Sequence, residues 1–487
     1  MYTLSTHSPV VPQDRREKRR VKCDEARPVC TRCLCGQRQC SYLEPPVGSY
    51  SWLHLLQAQP SVAPPPPPPA VVTLPPRQAR SLDYFRHVVA PSLGGRLDST
   101  FWTRPVMQLA MSEAAAMHGM LAISMLYEGF EPSWKGASKD DQAALMHYSH
   151  ALRLIATEKD KSVVLILSIL FTCIEFLRGD TEAAITHCRH GTILSNAHGS
   201  RDAGVSAVLG HLSVFPYFFA SGEFPVPAAG APAVTDVSTA AFAMDELLGR
   251  AIRLVRSMDG YRLGLKGATI PIEVWVAQRA LLRDLASWRK ASEALMDYSK
   301  KKESPGCALL LMRFLVCWVW TSIAPYREEI ASDTFQGEFA QIVELARHVS
   351  QDERQEAKFT FGMGVSPLLH FVIIKCRHLS IRLAALELLR AMGRRRESLW
   401  DSEAMYAIGK CIIEREHGIV VTQGMAAAEG ERLPDDESRI RDSYLEDEVL
   451  EERDDQGNFL LWRKMVLFVR DGEAISRTSS WISIPSQ

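Results

Sequence analysis

The sequence lacks long hydrophobic runs and the common motifs of enzymes. Its longest apolar stretch, 163–174, is interrupted by Ser168 and Thr172. It is too short to cross a bilayer, which takes about 20 residues. Residues 1–12 have no apolar core of the kind found in signal peptides, so we expect a soluble protein with no membrane partner. There is no G-x-S-x-G elbow, no P-loop and no G-x-G-x-x-G between a strand and a helix, so the sequence does not indicate an enzyme or any catalytic residue.

What the chain does have is length and a basic N-terminus. Its 487 residues, 46% of them apolar, can bury at least one large core. Residues 1–46 carry nine Lys or Arg against five Asp or Glu, whereas the whole chain has a net charge of -1. A small basic head on a mildly acidic body is typical of a protein that contacts nucleic acid only at its N-terminus. The six cysteines beyond residue 100 are scattered among apolar residues and are interpreted as reduced core thiols.

Four cysteines follow the basic run with the spacing C-x6-C-x2-C-x6-C. They are Cys23, Cys30, Cys33 and Cys40. A C-x2-C pair flanked on both sides at x6 indicates thiolate ligands for zinc rather than a chance group of free thiols. The segment from Arg19 to Cys33 resembles the fungal binuclear zinc cluster family, whose pattern is C-x2-C-x6-C-x6-C-x2-C-x6-C. In that family six thiolates hold two Zn2+ ions.

The first two cysteines of that pattern are missing here. Their places fall on Gln13 and Arg16, and neither side chain can replace a thiolate on zinc. One interpretation is that the first residues come from a misplaced start or splice site and that the native chain carries the missing pair. The other is that four thiolates, from Cys30, Cys33, Cys40 and either Cys23 or Cys35, hold one zinc, or that none is bound.

The resemblance also implies roles for the basic residues. Arg19 and Arg20 occupy the places of the family's basic pair, which reads a CGG triplet in the major groove. An arginine fork can bond O6 and N7 of guanine together. Lys22 matches a position that usually meets phosphate, where a contact adds affinity without sequence information. The same basic run is compatible with nuclear import.

Residues 45–80 separate this module from the rest of the chain. Six consecutive prolines, 64–69, favour an extended polyproline II spacer that cannot pack into a domain. We therefore predict three parts, namely a truncated zinc-cluster module at 1–44, a Pro-rich disordered linker at 45–80 and a helical domain at 81–487.

From residue 81 the pattern of apolar residues is helical. Ser138 and Asp141 make a capping-box-like start, and a second helix is expected from near Asp180 to Gly199, with Ala184, Cys188 and Gly191 on one face. Further helices are predicted at about 104–127, 161–177, 239–257, 273–299, 306–323, 335–350, 366–392 and 401–416. Long strand signals are not evident. The predicted fold class is all-α, a large helical domain preceded by the small zinc module and the linker.

Two other segments of the helical part contain residues that could carry a function. His187, Cys188 and His190 could suggest a metal site or a nucleophile, but their places on a helix favour packing and surface roles. Residues 429–455 carry thirteen acidic residues against four arginines, with apolar residues between them. This composition suits either an acidic activation segment or a solvated loop between helices, and we predict the loop.

The helical part resembles the fungal-specific transcription factor domain that accompanies many zinc clusters. The resemblance lies in residues 82–87, in Phe101-Trp102, in 109–128 and in 175–187. It implies a nuclear, zinc-dependent, sequence-specific regulator of RNA polymerase II transcription, whose partners are double-stranded DNA and the transcription machinery. Because one CGG triplet gives little specificity, a homodimer is a plausible state. The alternative is a helical interaction or ligand-sensing protein with a degenerate DNA-binding head, acting through partners.

Overall fold

The fold is known from a computed structural model. The structure describes residue 35 and the ranges 75–97, 100–130, 139–198, 203–219, 233–263, 269–293, 295, 304–350, 357–393, 395–427, 432–453, 459–472 and 474–485. The chain divides into two compact units, Met1–Thr73 and Leu74–Gln487. Every element below lies in the second unit, whose first helix begins at Pro76, inside the stretch predicted as linker.

The N-terminal half of this unit consists of packed helices. They are α1 (Pro76–Tyr84), a π-helical turn (Phe85–Val89), α2 (Ala90–Gly94), α3 (Thr100–Thr103), α4 (Pro105–Ser112), α5 (Ala114–Glu128), α6 (Lys139–Ile155), α7 (Lys161–Arg178), α8 (Thr181–His198), α9 (Ala203–Leu212) and α10 (Phe215–Phe219). The helices predicted at 161–177 and from near Asp180 match α7 and α8, and the one predicted to start near Ser138 matches α6. The single helix predicted at 104–127 is divided at Glu113 into α4 and α5.

Helix α7 shows why these predictions succeed. Asp160 caps its first turn by accepting a hydrogen bond from the backbone N–H of Ser162 at 2.8 Å. Gly179, with φ of 73°, ends it in the left-handed conformation that favours glycine. Between these ends most of its side chains are apolar and buried. A helix that is apolar on nearly all sides belongs in the middle of a core, and α7 is covered by α5 and α8.

The C-terminal half continues with longer helices. They are α11 (Val237–Arg262), α12 (Ile272–Ser292), α13 (Pro305–Ile323), a 3-10 helix (Glu329–Phe335), α14 (Gln336–Ser350), α15 (Ser366–Lys375), α16 (Leu379–Ala391) and α17 (Ser402–His417). Helix α13 is the one described helix long and apolar enough to cross a membrane, but 78% of its most apolar window is buried inside the protein. It packs between α11, α14 and α15 as a core helix.

The predicted single helix 366–392 is wrong, because the chain breaks at Cys376–His378 into α15 and α16. Arg377 lies in this break and is completely buried. Its guanidinium reaches the carboxylate of Glu416 on α17. The break lets α15 and α16 pack against each other and brings two arginines to one buried carboxylate, which a continuous helix could not do.

The all-α prediction is also wrong in part, because the described residues include two sheets. The small one has β1 (Phe359–Thr360) parallel to β2 (Arg396–Glu397), which is antiparallel to β3 (Trp400–Asp401). The large one is an antiparallel meander of β4 (Ile440–Arg453), β5 (Phe459–Asp471) and β6 (Ala474–Pro485). Hence 440–453, predicted as a solvated acidic loop, is a strand.

The large sheet packs one face on α17. Met465, Leu467, Ile482 and Ile484 from β5 and β6 form a second apolar cluster with Ala407 and Ile412 of α17. These strand residues alternate, so they point to the same side of the sheet. The acidic side chains of β4 that the structure describes stay half-exposed or exposed, which explains how a strongly acidic segment can still be a strand.

Candidate functional site

The residues predicted to bind zinc and DNA lie outside the described part of the chain. They are Cys23, Cys30, Cys33, Cys40, Arg19, Arg20 and Lys22. Cys35, the described member of this segment, is an exposed free thiol. Within the described ranges, no group of three or more His, Cys, Asp or Glu is arranged to hold a metal ion. The candidate site built below is therefore a cavity in the helical unit.

The cavity has a volume of about 1200 Å³. Its wall is formed by the end of α2, by α3 and the start of α4, by α9, α11 and α13, and by the two loops that follow β1 and precede β2. Ligand pockets in proteins usually measure about 300–1,000 Å³. The cavity is thus large enough for a small organic molecule, and it joins segments from both halves of the unit.

A buried group of charged residues forms one part of the wall. The Asp245 carboxylate lies 3.1 Å from the ring of His211 and 3.1 Å from the guanidinium of Arg313. Burial acts to raise the pKa of Asp245, but His211 and Arg313 outweigh it and hold that pKa below its ordinary value. Arg313 also donates to the carbonyl of Met363, and the Met363 N–H lies 3.4 Å from His211 Nε2. Three helices and the loop after β1 are thus fixed to one another.

A second buried carboxylate holds the loop between β1 and α15. Glu397 accepts hydrogen bonds from the backbone N–H of Gly364 at 3.0 Å and of Ser366 at 3.1 Å. The Ser366 hydroxyl donates to its other oxygen at 3.0 Å. Burial raises the pKa of Glu397, and the opposing effects of Arg395 and of these donors do not fully cancel it. Gly364 has to be glycine, because a Cβ there would lie 2.6 Å from the Glu397 carboxyl group.

Aromatic residues form an apolar part of the wall. Trp102 packs edge-on against Phe361 with ring centroids 4.9 Å apart, and Phe101 packs against Trp102 at 5.1 Å. The Phe361 N–H donates to the carbonyl of Leu93 at 3.2 Å, which ties the end of α2 to the loop after β1. The cavity therefore has an apolar side and a polar side, an arrangement suited to binding an amphipathic molecule.

His187 and Cys188 do not form a reactive site. The Nε2 of His187 lies 2.9 Å from the hydroxyl of Tyr148, and the ring packs edge-on against Phe171. Burial lowers the pKa of His187 to about 4 and raises the pKa of Cys188 to about 12. At neutral pH the imidazole is therefore uncharged and the thiol protonated. Both side chains pack against their neighbours in the helical unit, and the interpretation of this segment as packing is confirmed.

Comparison with known proteins finds a family match in the N-terminal part of this unit. Residues 80–219 match the family model of the fungal specific transcription factor domain. The aspercryptin biosynthesis cluster-specific transcription regulator atnN of Emericella nidulans is 27% identical to this chain over a match that covers 36% of this chain and 32% of the relative. The match thus spans about a third of that relative's length. No solved structure matches the chain.

These matches support a fungal transcription factor and a role in transcription regulation, which is generally not an enzymatic role. The matched region ends at Phe219, the last residue of α10. It contributes α2, α3, α4 and α9 to the cavity, whereas α11, α13 and the strand loops come from the sequence beyond it. A molecule in the cavity would therefore touch both the matched domain and the part that follows it.

Sequence reasoning did not find the cavity. His211 and Asp245 are 34 residues apart, and Asp245 and Arg313 are 68 apart. Each alone is an ordinary charged or polar residue on a helix. Only the packing of α9, α11 and α13 brings them together, and no local pattern reports that packing.

Proposed function

We propose that this protein is a zinc-dependent, sequence-specific DNA-binding regulator of RNA polymerase II transcription that acts in the nucleus and recognises CGG-type sites. One observation carries the proposal. The C-x6-C-x2-C-x6-C pattern with its adjoining basic run stands in the same chain as a region matching the fungal specific transcription factor domain. Neither feature depends on the other.

In this proposal each predicted residue has a role. Cys23, Cys30, Cys33 and Cys40 bind zinc, which is the cofactor. Arg19 and Arg20 contact guanines, and Lys22 contacts phosphate.

The helical unit regulates the DNA-binding head, supports a homodimer and contacts the transcription machinery. Because the relative from Emericella nidulans is named as a biosynthesis cluster-specific regulator, the target genes proposed here form a metabolic gene cluster.

The test is to measure zinc content and DNA binding on the purified full chain. Two zinc ions per chain require the missing cysteine pair, whereas the sequence as written should bind one or none. With a duplex containing CGG, the double substitution Arg19→Ala and Arg20→Ala should remove the preference over a scrambled duplex. Lys22→Ala should weaken binding to both duplexes alike and reduce its salt dependence. Equal binding of both duplexes by the unaltered chain would contradict the proposal.

The alternative function is a helical interaction or ligand-sensing protein whose DNA-binding head is degenerate and which acts through partners. Gln13 and Arg16, which stand where two zinc ligands are expected, favour it. Sequencing the 5′ end of the native transcript separates the two functions. Cysteine codons seven and ten residues before Cys23 would support direct DNA recognition. Codons for Gln13 and Arg16, with one zinc or none bound, would support the partner-dependent protein.

A further inference from the structure

The described lining residues of the cavity in the helical unit include charged side chains of both signs. Arg96, Arg104, Arg313 and Arg395 line it, against the two carboxylates Asp245 and Glu397. Both carboxylates are fully engaged inside the protein, Asp245 by Arg313 and His211 and Glu397 by the donors around Ser366. Among the described lining residues a cationic ligand would therefore find no unengaged carboxylate, whereas the exposed Arg104 offers an anion a counter-charge.

Arg104 lies at the outer part of the lining. Its side chain is exposed, and it directly precedes α4 without making a side-chain hydrogen bond there. Gln108 lies one helical turn further along α4, also exposed and also part of the lining. Residues four apart lie on the same helix face, so a charged donor and a neutral donor stand together at the edge of the cavity.

Much of the described lining is apolar. It includes Leu309 on α13 and the half-buried Phe242 on α11. Phe361 and Met363 add to it from the loop after β1. Together with the volume of about 1200 Å³ this suits the hydrocarbon or aromatic body of a small molecule better than a simple inorganic anion.

We propose that the cavity is an effector site for an amphipathic organic acid, a molecule with an apolar body and a carboxylate. The body occupies the apolar interior, and the carboxylate is recognised by Arg104 with Gln108 beside it. The binding inference stands on the cavity alone. The inference that such binding regulates transcription rests on the proposed function. Only a chain with a DNA-binding head can be regulated by a ligand that contacts both the matched region and the later helices.

Binding can be tested with cis-parinaric acid, a fluorescent fatty acid, and with its uncharged methyl ester, both titrated into the purified full chain. We expect the acid to bind about fivefold more tightly than the ester, as one exposed ion pair of up to about 1 kcal/mol would give. Arg104→Ala should abolish that difference, because it should weaken binding of the acid and leave binding of the ester unchanged. Arg283→Ala, at an exposed site on α12, is the matched control and should change the affinity for neither probe.

The location is tested by filling the cavity. Ala241→Trp, at a half-buried lining position on α11, should weaken binding of both the acid and the ester at least about tenfold, because the bulky ring occupies the space of the ligand. Ala286→Trp on the exposed face of α12 is its control. If the circular dichroism of Ala241→Trp shows misfolding, Ala207→Phe on α9 replaces it.

Three results would overturn the inference. These are no binding of either probe, equal binding of acid and ester, or undiminished binding by the folded cavity-filling variants. None of these measurements uses DNA or zinc. A failed effector site therefore leaves the DNA-binding proposal standing, and a failed DNA-binding proposal leaves the site standing.

Discussion

Inside the protein, the guanidinium of Arg377 lies 3.1 Å from the carboxylate of Glu416, and neither side chain is exposed. Arg382 donates to the second carboxylate oxygen at 2.6 Å, and the backbone N–H of Ile440 donates to the first at 2.7 Å. Arg377 follows α15, Arg382 is on α16, Glu416 is on α17, and Ile440 begins β4. One buried carboxylate therefore joins three helices to the C-terminal sheet.

Glu416→Gln should strongly destabilise the protein. The substitution keeps the size of the side chain but removes the negative charge. The buried Arg382 then loses the carboxylate to which it donates, and Arg377 is left with Glu329, 3.5 Å away. Breaking a buried ion pair from one side costs about 3–5 kcal/mol. The loss should appear in denaturant unfolding followed by circular dichroism, as a lower midpoint with an unchanged slope.

The control for this substitution is Glu387→Gln on α16. Glu387 pairs with Arg390 one turn away, but its side chain is 52% exposed. Exposed pairs contribute up to about 1 kcal/mol, so this variant should unfold almost like the unaltered protein. Similar losses of stability in both variants would show that the buried ion pairs of Glu416 contribute no more than the exposed pair of Glu387.

The buried carboxylates of Glu416 and Glu329 should make the protein sensitive to acid. Burial acts to raise the pKa of Glu416, but Arg377 and Arg382 outweigh it and hold that pKa below its ordinary value of 4.5. Lys375 and Arg377 similarly hold the pKa of Glu329 well below its usual range. Since the unfolded chain binds these protons first, the stabilisation is complete above about pH 4.5 and is lost as the pH falls below it. Unfolding midpoints measured between pH 7 and pH 3 should fall steeply below that value.

The Glu416→Gln variant also isolates this effect. Without the titrating carboxylate, its stability should fall less steeply between pH 4.5 and pH 3 than that of the unaltered chain. Parallel curves for the two proteins would mean that other groups cause the acid sensitivity.

The helices could be predicted where one local pattern decided the structure. In α7 the cap at Asp160, the apolar sequence and the terminal Gly179 all agree, and the predicted range differs from the observed one by a single residue. The break at Arg377 could not be predicted in this way. At the break the buried Arg377 contacts the distant Glu416, and the sequence 366–392 is compatible with helix throughout.

The C-terminal sheet was missed although signals for it exist. Met465 and Leu467, and likewise Ile482 and Ile484, alternate with other residues as in a half-buried strand. Asp471-Gly472 is a hairpin turn signal, and Gly472 has a φ of 60°. An acidic strand is stable here because β5, with which it pairs, and β6 beyond it supply most of the apolar face.

Gly191→Ala tests how closely α7 and α8 approach each other. A Cβ at Gly191 would lie 2.7 Å from Ser168 Oγ and 3.0 Å from a methyl group of Leu209. Ser168 Oγ donates to the carbonyl of Leu165 at 2.7 Å, so moving it costs a buried hydrogen bond. We expect a loss of about 1–3 kcal/mol, although alanine is the better helix former. Differential scanning calorimetry should show a lower Tm.

The matched control is Gly337→Ala in the first turn of α14. A Cβ at Gly337 would have nothing within 4 Å. Alanine there restricts the unfolded chain without a clash and should raise stability by up to about 1 kcal/mol. Opposite signs for the two substitutions are expected, and a rise in Tm for Gly191→Ala would contradict the close packing of α7 on α8.

Met465→Ala tests whether the C-terminal sheet folds as one unit with the helices. Met465 is fully buried between the sheet and α17, and truncating a buried methionine costs about 2–5 kcal/mol. Leu450→Ala is the control, because Leu450 lies on β4 with 51% of its surface exposed and should cost far less. Because Glu416 links the sheet to three helices, the Met465→Ala variant should lose its helical signal and its sheet packing in one transition at a lower denaturant concentration. If hydrogen exchange of the β5 and β6 backbone amides speeds up well before the helical circular dichroism is lost, the sheet unfolds separately and the buried carboxylate does not hold the two parts together.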